Sequence, residues 1–326
     1  MKRLKLKIAA TPKLRSVLTI CGLLVITFAG MCIYSDSYRS VYNITNLLAQ
    51  CVPLACVALG QTLVIISGGI DLSVGPLISV CTVAAAKLMN TDNPLQIALG
   101  AAAVLGIGFL VGALNGCGIH DLKVPPLIAT LCMSTVLNGI ALWIMPMAGG
   151  KINKSFAKFI FQKWDILSMP LLILAVSYLI VHRILYHTRT GVGIYAIGKD
   201  RKIAASMGVR IRSVSIRAYV LSGLCAAITG LLLACRMRVG DPTCGSVYSM
   251  DSITAAAIGG TSMAGGAGLI SGTIAGAFLV GMLSNLMNIL EINQFYQYVL
   301  KGGLLIAAMI IYSISDLLEV RHRAKQ

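Results

Sequence analysis

The sequence predicts an all-α, polytopic membrane protein of about ten transmembrane helices, at least one of them short or broken, with N and C termini cytoplasmic. Three observations carry that prediction. Of 326 residues, 57% are apolar and only 12% charged, against about 25% charged in ordinary soluble domains. The mean hydropathy is +0.85. The apolar residues fall into runs near the roughly 20 needed to cross a bilayer, with basic residues gathered between them. Collagen, coiled coil, disordered tail and secreted disulfide scaffold are excluded by this apolar content and by the lack of a short period.

Ten spans are expected, near 16–34, 47–67, 70–88, 95–117, 124–146, 166–187, 214–235, 250–264, 267–290 and 296–315. The first follows Lys2, Arg3, Lys5, Lys7, Lys13 and Arg15. That order mimics a secretory signal, but no A-x-A-like cleavage site follows, so it reads as an uncleaved span. The eighth is short and broken by Gly259-Gly260, which points to a half-helix buried in protein. Gly108, Gly112 and Gly116 in the fourth span recur every four residues, as do Gly268, Gly272 and Gly276 in the ninth. Such stripes of bare backbone let helices approach closely. The adjacent pairs Gly68-Gly69 and Gly259-Gly260 instead break helices, and in a membrane the freed backbone is tolerated only when buried or beside water. Gly69–Ser79 and Gly260–Ser271 share a GG…LIS outline, but it slips by one residue and does not establish an internal repeat.

Charge sets the orientation. With residues 1–15 in the cytoplasm, ten crossings return both the basic stretch 183–217 and the tail residues Arg321, Arg323 and Lys325 to the same side. Nine crossings would throw the basic tail outward. The net charge of +16 is thereby explained by topology, with no call for a nucleic acid partner. Lys151, Lys154, Lys158 and Lys163 resist the rule by falling outside. They are either a tolerated solvated loop or, joined by Arg236 and Arg238, a docking surface for an acidic soluble partner. The longest stretch between spans, 188–213, is too short for a core of its own. The chain therefore reads as one transmembrane domain, 1–326, with cytoplasmic segments at 1–15, 188–213 and 316–326.

Polar residues interrupt the apolar runs at a few places. A carboxylate between two spans costs several kcal/mol unless it reaches water, a partner or backbone donors. Asp71 follows the Gly68-Gly69 break and precedes Ser73 by two residues. It is either a cap fixing a bend at the head of the third span or a group that touches solute or couples its movement. Amides and hydroxyls within spans either bond neighbouring helices or line a path for a hydroxylated solute. The candidate path residues are Gln61, Ser67, Asp71, Ser73, Asn115, Thr261, Ser262 and Asn288. Asn138 and Asn285 are further span amides, and Glu291 is expected at the outer interface. The ten cysteines contain no C-x-x-C pair and read as small hydrophobes, and the four histidines are scattered at loop edges, so no metal site is expected. Neither H-E-x-x-H nor G-x-S-x-G occurs, so no catalytic residue is assigned. G-x-x-x-x-G-K-[ST] is also missing, so ATP for any ATP-driven transport must be bound by another chain.

Within the long loop, Asp200 to Met207 reads as a short helix, capped by Asp200, closed by Gly208 and presenting Ala204 and Ala205 as a thin face. It suits docking into a cytosolic partner's groove, or it is a plain basic loop. Taken together, GGIDLSVG at 68–75, the loop T-x-x-G-x-x-I-Y-A-I-G from Thr188 and AAAIGGTSMAGGAG at 255–268 carry a resemblance, as do Arg236 ahead of Asp241-Pro242 and G-T-x-x-G-A at 272–277. In these motifs, in order along almost the whole chain, the sequence resembles the ribose-type sugar permeases of bacterial ABC importers.

The resemblance implies a multi-pass permease of the bacterial cytoplasmic membrane that moves a ribose-like pentose or hexose inward by alternating access. It implies a second permease copy or paralogue, a cytosolic tandem-cassette ATPase, and a periplasmic or lipid-anchored sugar-binding protein. Carried over by motif, Gly198, Ala204, Ala205 and Gly208 would form the element that couples to the ATPase. The family usually reads G-G-N where this chain has Gly198-Lys199-Asp200, and S-G-I where it has Met207-Gly208-Val209, which implies a fit retuned to a particular ATPase. Two alternatives stay open: an ABC permease for branched-chain amino acids or nucleosides, and an ion-coupled secondary transporter using Asp71 and Glu291 as a relay.

Overall fold

The computed structural model describes residues 22, 24–33, 36–164, 167–293, 295–303, 305–307 and 310. The basic N-terminus 1–15 and the tail 316–326 lie outside the described residues, as does the side chain of Lys163. In chain order the helices are α1 (Leu24–Ile33), α2 (Val41–Ile66), α3 (Val74–Leu88), α4 (Pro94–Asp121), α5 (Pro126–Ile144), α6 (Lys154–Ile160), α7 (Met169–His187), α8 (Arg189–Lys199), α9 (Arg201–Ser206), α10 (Ile211–Met237), α11 (Ser246–Ile258) and α12 (Ile270–Ile289). Residues 295–303 are helical again. A two-residue β-pair, β1 (Lys163–Trp164) with β2 (Leu167–Ser168), precedes α7.

Six of the described helices, α2, α4, α5, α7, α10 and α12, are long and apolar enough to cross a membrane. Of the other four predicted spans, the first and tenth run into residues outside those described, and the third and eighth are short for a local reason. The third and eighth predicted spans are α3 and α11, only 15 and 13 residues long. Each lies beside a glycine pair: α3 begins after Gly68-Gly69, and α11 stops at Gly259-Gly260. α2 also starts earlier than predicted, at Val41, where the Ser40 side chain accepts the Asn43 N–H at 3.1 Å.

α2 is buried along almost its whole length, at the centre, and packs against α10, α12, α11 and α7. A helix apolar all round belongs in a core. α4, α5 and α7 are mostly exposed and turn apolar side chains outward, among them Leu131, Val136, Trp143 and Leu179. The predicted stripe in the fourth span packs as expected. A Cβ on Gly108 or Gly112 would sit 2.7 Å from Ala227 Cβ or Val220 Cα of α10, and one on Gly116 would be 2.6 Å from Ile216 Cα. In the ninth span Gly272 and Gly276 rest on Gly259 and the Ala255 carbonyl of α11, but Gly268 lies ahead of α12 and packs on the Ile66 side chain.

The two helix breaks share one geometry. Gly68 (φ +82°) donates to the Ile65 carbonyl at 2.9 Å, and Gly69 to Val64 at 3.0 Å. Gly260 (φ +82°) donates to Ala257 and Thr261 to Ala256, both at 3.0 Å. Both are Schellman closures, which need a left-handed residue that glycine adopts without strain. The slipped GG…LIS outline thus corresponds to equivalent caps, with connections of different length before α3 and α12.

In the long loop, α9 has its predicted cap, since Asp200 Oδ1 accepts from the Lys202 and Ile203 N–H groups at 2.7 and 3.0 Å. Gly208 (φ +79°) closes it. The preceding segment, expected as loop, is the helix α8. Its glycines, which argue against a helix on propensity, are there for close approach: a Cβ on Gly191 would overlap the Leu185 carbonyl, and one on Gly193 would lie 2.8 Å from Val214.

Candidate functional site: two helix breaks joined to the long loop

Asp71 sits in the non-helical stretch between α2 and α3 and is 1% exposed. Its Oδ1 accepts from the Ser73 N–H at 3.0 Å and the Ser73 hydroxyl at 2.6 Å, and its Oδ2 from the Ser222 hydroxyl of α10 at 3.0 Å. The Asn115 side-chain amide of α4 donates to Ser73 Oγ at 2.8 Å. The Gln61 amide, oriented so that both ends are satisfied, donates to the Asp71 carbonyl and accepts the Asp71 N–H, each at 3.2 Å. Four of the predicted polar residues, Gln61, Asp71, Ser73 and Asn115, therefore form one buried network. It fastens the break to α2, α4 and α10, and supplies the hydrogen bonds that a carboxylate away from water requires. Ser67 adjoins it, donating to the Val64 carbonyl at 2.7 Å.

The second break spans Gly259 to Leu269. Ser262 donates its N–H to the Ala267 carbonyl at 2.9 Å, and Thr261 Oγ1 is buried without a partner among the described residues. The two breaks touch. Gly266 (φ +71°) donates its N–H to the Ile66 carbonyl at 2.8 Å, and a Cβ on Gly265 (φ +85°) would lie 3.0 Å from Gly68 Cα. The end of α8 is seated in the same junction. A Cβ on Gly198 would overlap the Ile66 carbonyl oxygen and stand 2.5 Å from the Gly266 nitrogen. The Tyr195 hydroxyl donates to the Gly268 carbonyl at 2.8 Å, and burial raises this phenol above its ordinary value, so it remains a donor. Gly68, Gly198, Gly265 and Gly266 thus bring three segments into backbone contact, with Gly198 and Gly265 leaving no room for a Cβ and Gly68 supplying a left-handed turn.

The predicted loop residues divide. Gly198 is part of this junction. Ala204 is buried, at 1% exposure, and donates its N–H to the Asp200 carbonyl at 3.0 Å, whereas Ala205 and Gly208 are exposed. With them Ile203 and Met207, 55% and 76% exposed, leave a small apolar surface on α9.

At the opposite end of the helices, Lys151, Lys154 and Arg238 line one hollow of about 440 Å³ with Asp92 and Asn153. Lys158 lines a neighbouring hollow with Gln162, and Arg236 is exposed at the end of α10. Asn288 stands apart from the other predicted path residues. It is exposed near the end of α12 and accepts from Gln297 Nε2 at 2.9 Å.

Sequence reading passed over Asp251 and Lys301. Lys301 Nζ donates to Asp251 Oδ2 at 2.8 Å, with the two side chains 16% and 12% exposed. The signal was present, since each lies in an apolar run and opposite charges in two spans invite pairing. Tyr195 and Ser222 were also missed; neither residue type in a span or loop announces a long-range partner.

Comparison with known proteins gives the chain's relatives. The family described as branched-chain amino acid transport system / permease component matches residues 43–309. The ribose import permease protein RbsC of Escherichia coli K12 is 32% identical over 295 residues, covering 88% of this chain and 91% of that protein. RbsC of Bacillus subtilis 168 is 34% identical over 284 residues, covering 86% and 87%. The xylose transport system permease protein XylH of E. coli K12 is 29% identical across an alignment that covers 84% of this chain and 85% of that protein. No solved structure is a significant match to the chain.

Proposed function

This chain belongs to the family of branched-chain amino acid transport system / permease components, and from that premise we propose that it is the membrane-spanning subunit of an ATP-driven importer of a monosaccharide. The observation that carries the cargo is the similarity, along nearly nine-tenths of the chain, to permeases named for ribose import. The relatives named for D-allose and xylose widen the class to pentoses and hexoses.

The proposed assembly is a bacterial cytoplasmic-membrane complex in which this chain pairs with a second permease, a tandem-cassette ATPase binds ATP, and a sugar-binding protein delivers cargo. The chain acts as one permease unit of about ten membrane helices, α3 and α11 among them as short elements held inside the protein, with residues 1–15, 188–213 and 316–326 on the cytoplasmic side. The basic content of those segments supports that orientation. The apolar surface of α9 at Ile203 and Met207 faces the ATPase, and α8 relays its movement through Gly198. The buried network of Gln61, Asp71, Ser73 and Asn115, with Ser67, Thr261 and Ser262 at the two breaks, sets hinge geometry rather than lining the solute path. The hollow of Lys151, Lys154 and Arg238, flanked by Lys158 and Arg236, receives the acidic face of the binding protein. Alternating access then follows from ATPase contacts that differ between inward and outward states.

The test is uptake in cells without endogenous sugar importers that express the chain with its ATPase and binding protein. Uptake of D-ribose, D-xylose or D-allose that stops on ATP depletion and survives collapse of the proton gradient is expected. Uptake that stops with the gradient while ATP is intact would overturn the proposal in favour of an ion-coupled carrier. The family's description favours a second reading, a branched-chain amino acid as cargo; leucine uptake by the same cells, with no sugar uptake, would establish it.

A further inference from the structure

A polar cavity of about 460 Å³ lies where α2, α11, α12 and the helical residues 295–303 meet, and Gln50, Ser284, Asn288, Gln297, Asp251 and Lys301 are among its lining residues. Small-molecule sites run from roughly 300 to 1,000 Å³, and most are apolar; this one is not. Gln50 and Asp251 lie in the first half of their helices and Ser284 and Asn288 in the last turns of theirs. α2 and α11 both run toward the glycine junction, and α12 runs away from it. The cavity is therefore at the end of the molecule opposite the α8–α9 loop, the same end as the Lys151 hollow.

Its chemistry is specific. The Asp251–Lys301 pair neutralises itself at 2.8 Å and also lines an adjoining cavity of about 390 Å³, so it forms a wall common to both. The other polar side chains of the lining are the amides of Gln50, Asn288 and Gln297 and the hydroxyls of Ser284 and Tyr248, set beside Leu54, Val247 and Ile292. Asn285 Nδ2 donates to Gln50 Oε1 at 3.4 Å, and Gln297 Nε2 donates to Asn288 Oδ1 at 2.9 Å and to the Ile292 carbonyl at 3.0 Å. Among the described residues this leaves the Gln50 and Asn288 side-chain N–H₂ groups and the Gln297 side-chain carbonyl unengaged. Donors and an acceptor of neutral charge match sugar hydroxyls, which both give and accept hydrogen bonds. An amino acid zwitterion would instead require Asp251 and Lys301 to separate.

We propose that this cavity is the monosaccharide subsite of the permease itself, occupied as cargo enters from the binding-protein side, with Asn288 and Gln297 as its main hydrogen-bonding groups. The inference rests on the sugar-importer reading above.

The test places a cysteine by Ser284→Cys in the full-length chain and measures its modification in membranes by a charged methanethiosulfonate, read by mass spectrometry at that position. A sugar at twice its Kd leaves about one third of sites free, so D-ribose, D-xylose or D-allose is expected to slow modification roughly threefold, while sucrose does not. Asn288→Leu with Gln297→Leu, at normal membrane levels, is expected to remove this protection and to cut uptake by the complete importer roughly tenfold, from two lost polar contacts. Modification at equal rates with every sugar, while the complete importer still takes one of them up, overturns the subsite and leaves the importer intact. A thiol at 284 that never reacts does the same, since the cavity is then closed to water. Protection by leucine and by no sugar overturns the sugar assignment. Failure of the wild-type importer to take up any of the three sugars overturns both readings.

Discussion

Asp71 is a carboxylate whose surroundings supply everything water would have supplied. Two hydroxyls and a backbone N–H bind its oxygens, and Gln61 pairs with its backbone. Hydrogen bonds to charged groups contribute about 1.5–3 kcal/mol each. Asp71→Ala is therefore expected to lower the melting temperature of the purified protein and to abolish uptake, while Asp71→Asn, which keeps an acceptor, falls between it and the wild type. Equal melting temperatures for all three would remove Asp71 from the scaffold. The Asp251–Lys301 pair makes a second residue-scale prediction. Lys301→Met strands a mostly buried carboxylate, a change that costs roughly 3–5 kcal/mol, and adding Asp251→Asn should recover much of the loss. A double-mutant cycle on thermal stability with no coupling between the two would contradict the pairing. Asp71 was legible as a capping candidate because it follows two glycines. Its partner Ser222 was not, because 151 residues separate them along the chain.

The elements that matter most are helix ends. α2 and α11 stop at the same kind of closure, and the end of α8 is pressed against Ile66 at the first break and Gly266 at the second. Gly198→Ala is expected to force α8 away from the Ile66 carbonyl and reduce uptake at least severalfold, because the conflicting atoms are backbone and cannot turn aside. Unaltered uptake and stability would mean that the junction does not transmit movement. Gly208 is different: no atom lies within 4 Å of a Cβ built there, and the residue is exposed. Gly208→Glu carries only the strain of a left-handed non-glycine residue, of order 1–3 kcal/mol. The variant should reach the membrane, yet ATP hydrolysis by the complex should proceed without uptake. Coupled uptake at the wild-type rate would exclude α9 from the ATPase contact. The α9 cap and its closing glycine were readable from Asp200 and Gly208. α8 was not, because glycines that disfavour a helix on propensity are used there for contacts known only after folding.

For the molecule as a whole, the α8–α9 loop and the basic hollow of Lys151 and Lys154 lie at opposite ends of the bundle. Lys151→Glu with Lys154→Glu reverses charge in the hollow that also holds Arg238 and Asp92. The expected result is a raised KM for uptake with little change in kcat, and a weaker dependence of KM on ionic strength, since rim charges act mainly on encounter. Unchanged KM and salt dependence would show that the binding protein docks elsewhere. At this scale the sequence determined that the protein is helical and lipid-embedded, because apolar runs and basic loops are local properties of the chain. It also pointed to the two helix breaks, because Gly68 and Gly260 can adopt the left-handed backbone that a closing turn needs. Only the tertiary structure decided that Asp71 is tied to Ser222, that Gly198 lies between Gly68 and Gly266, and that Asp251 meets Lys301 beside a polar cavity. Those contacts join residues far apart in the chain, and their energies depend on burial and close approach, which exist only once the helices have packed.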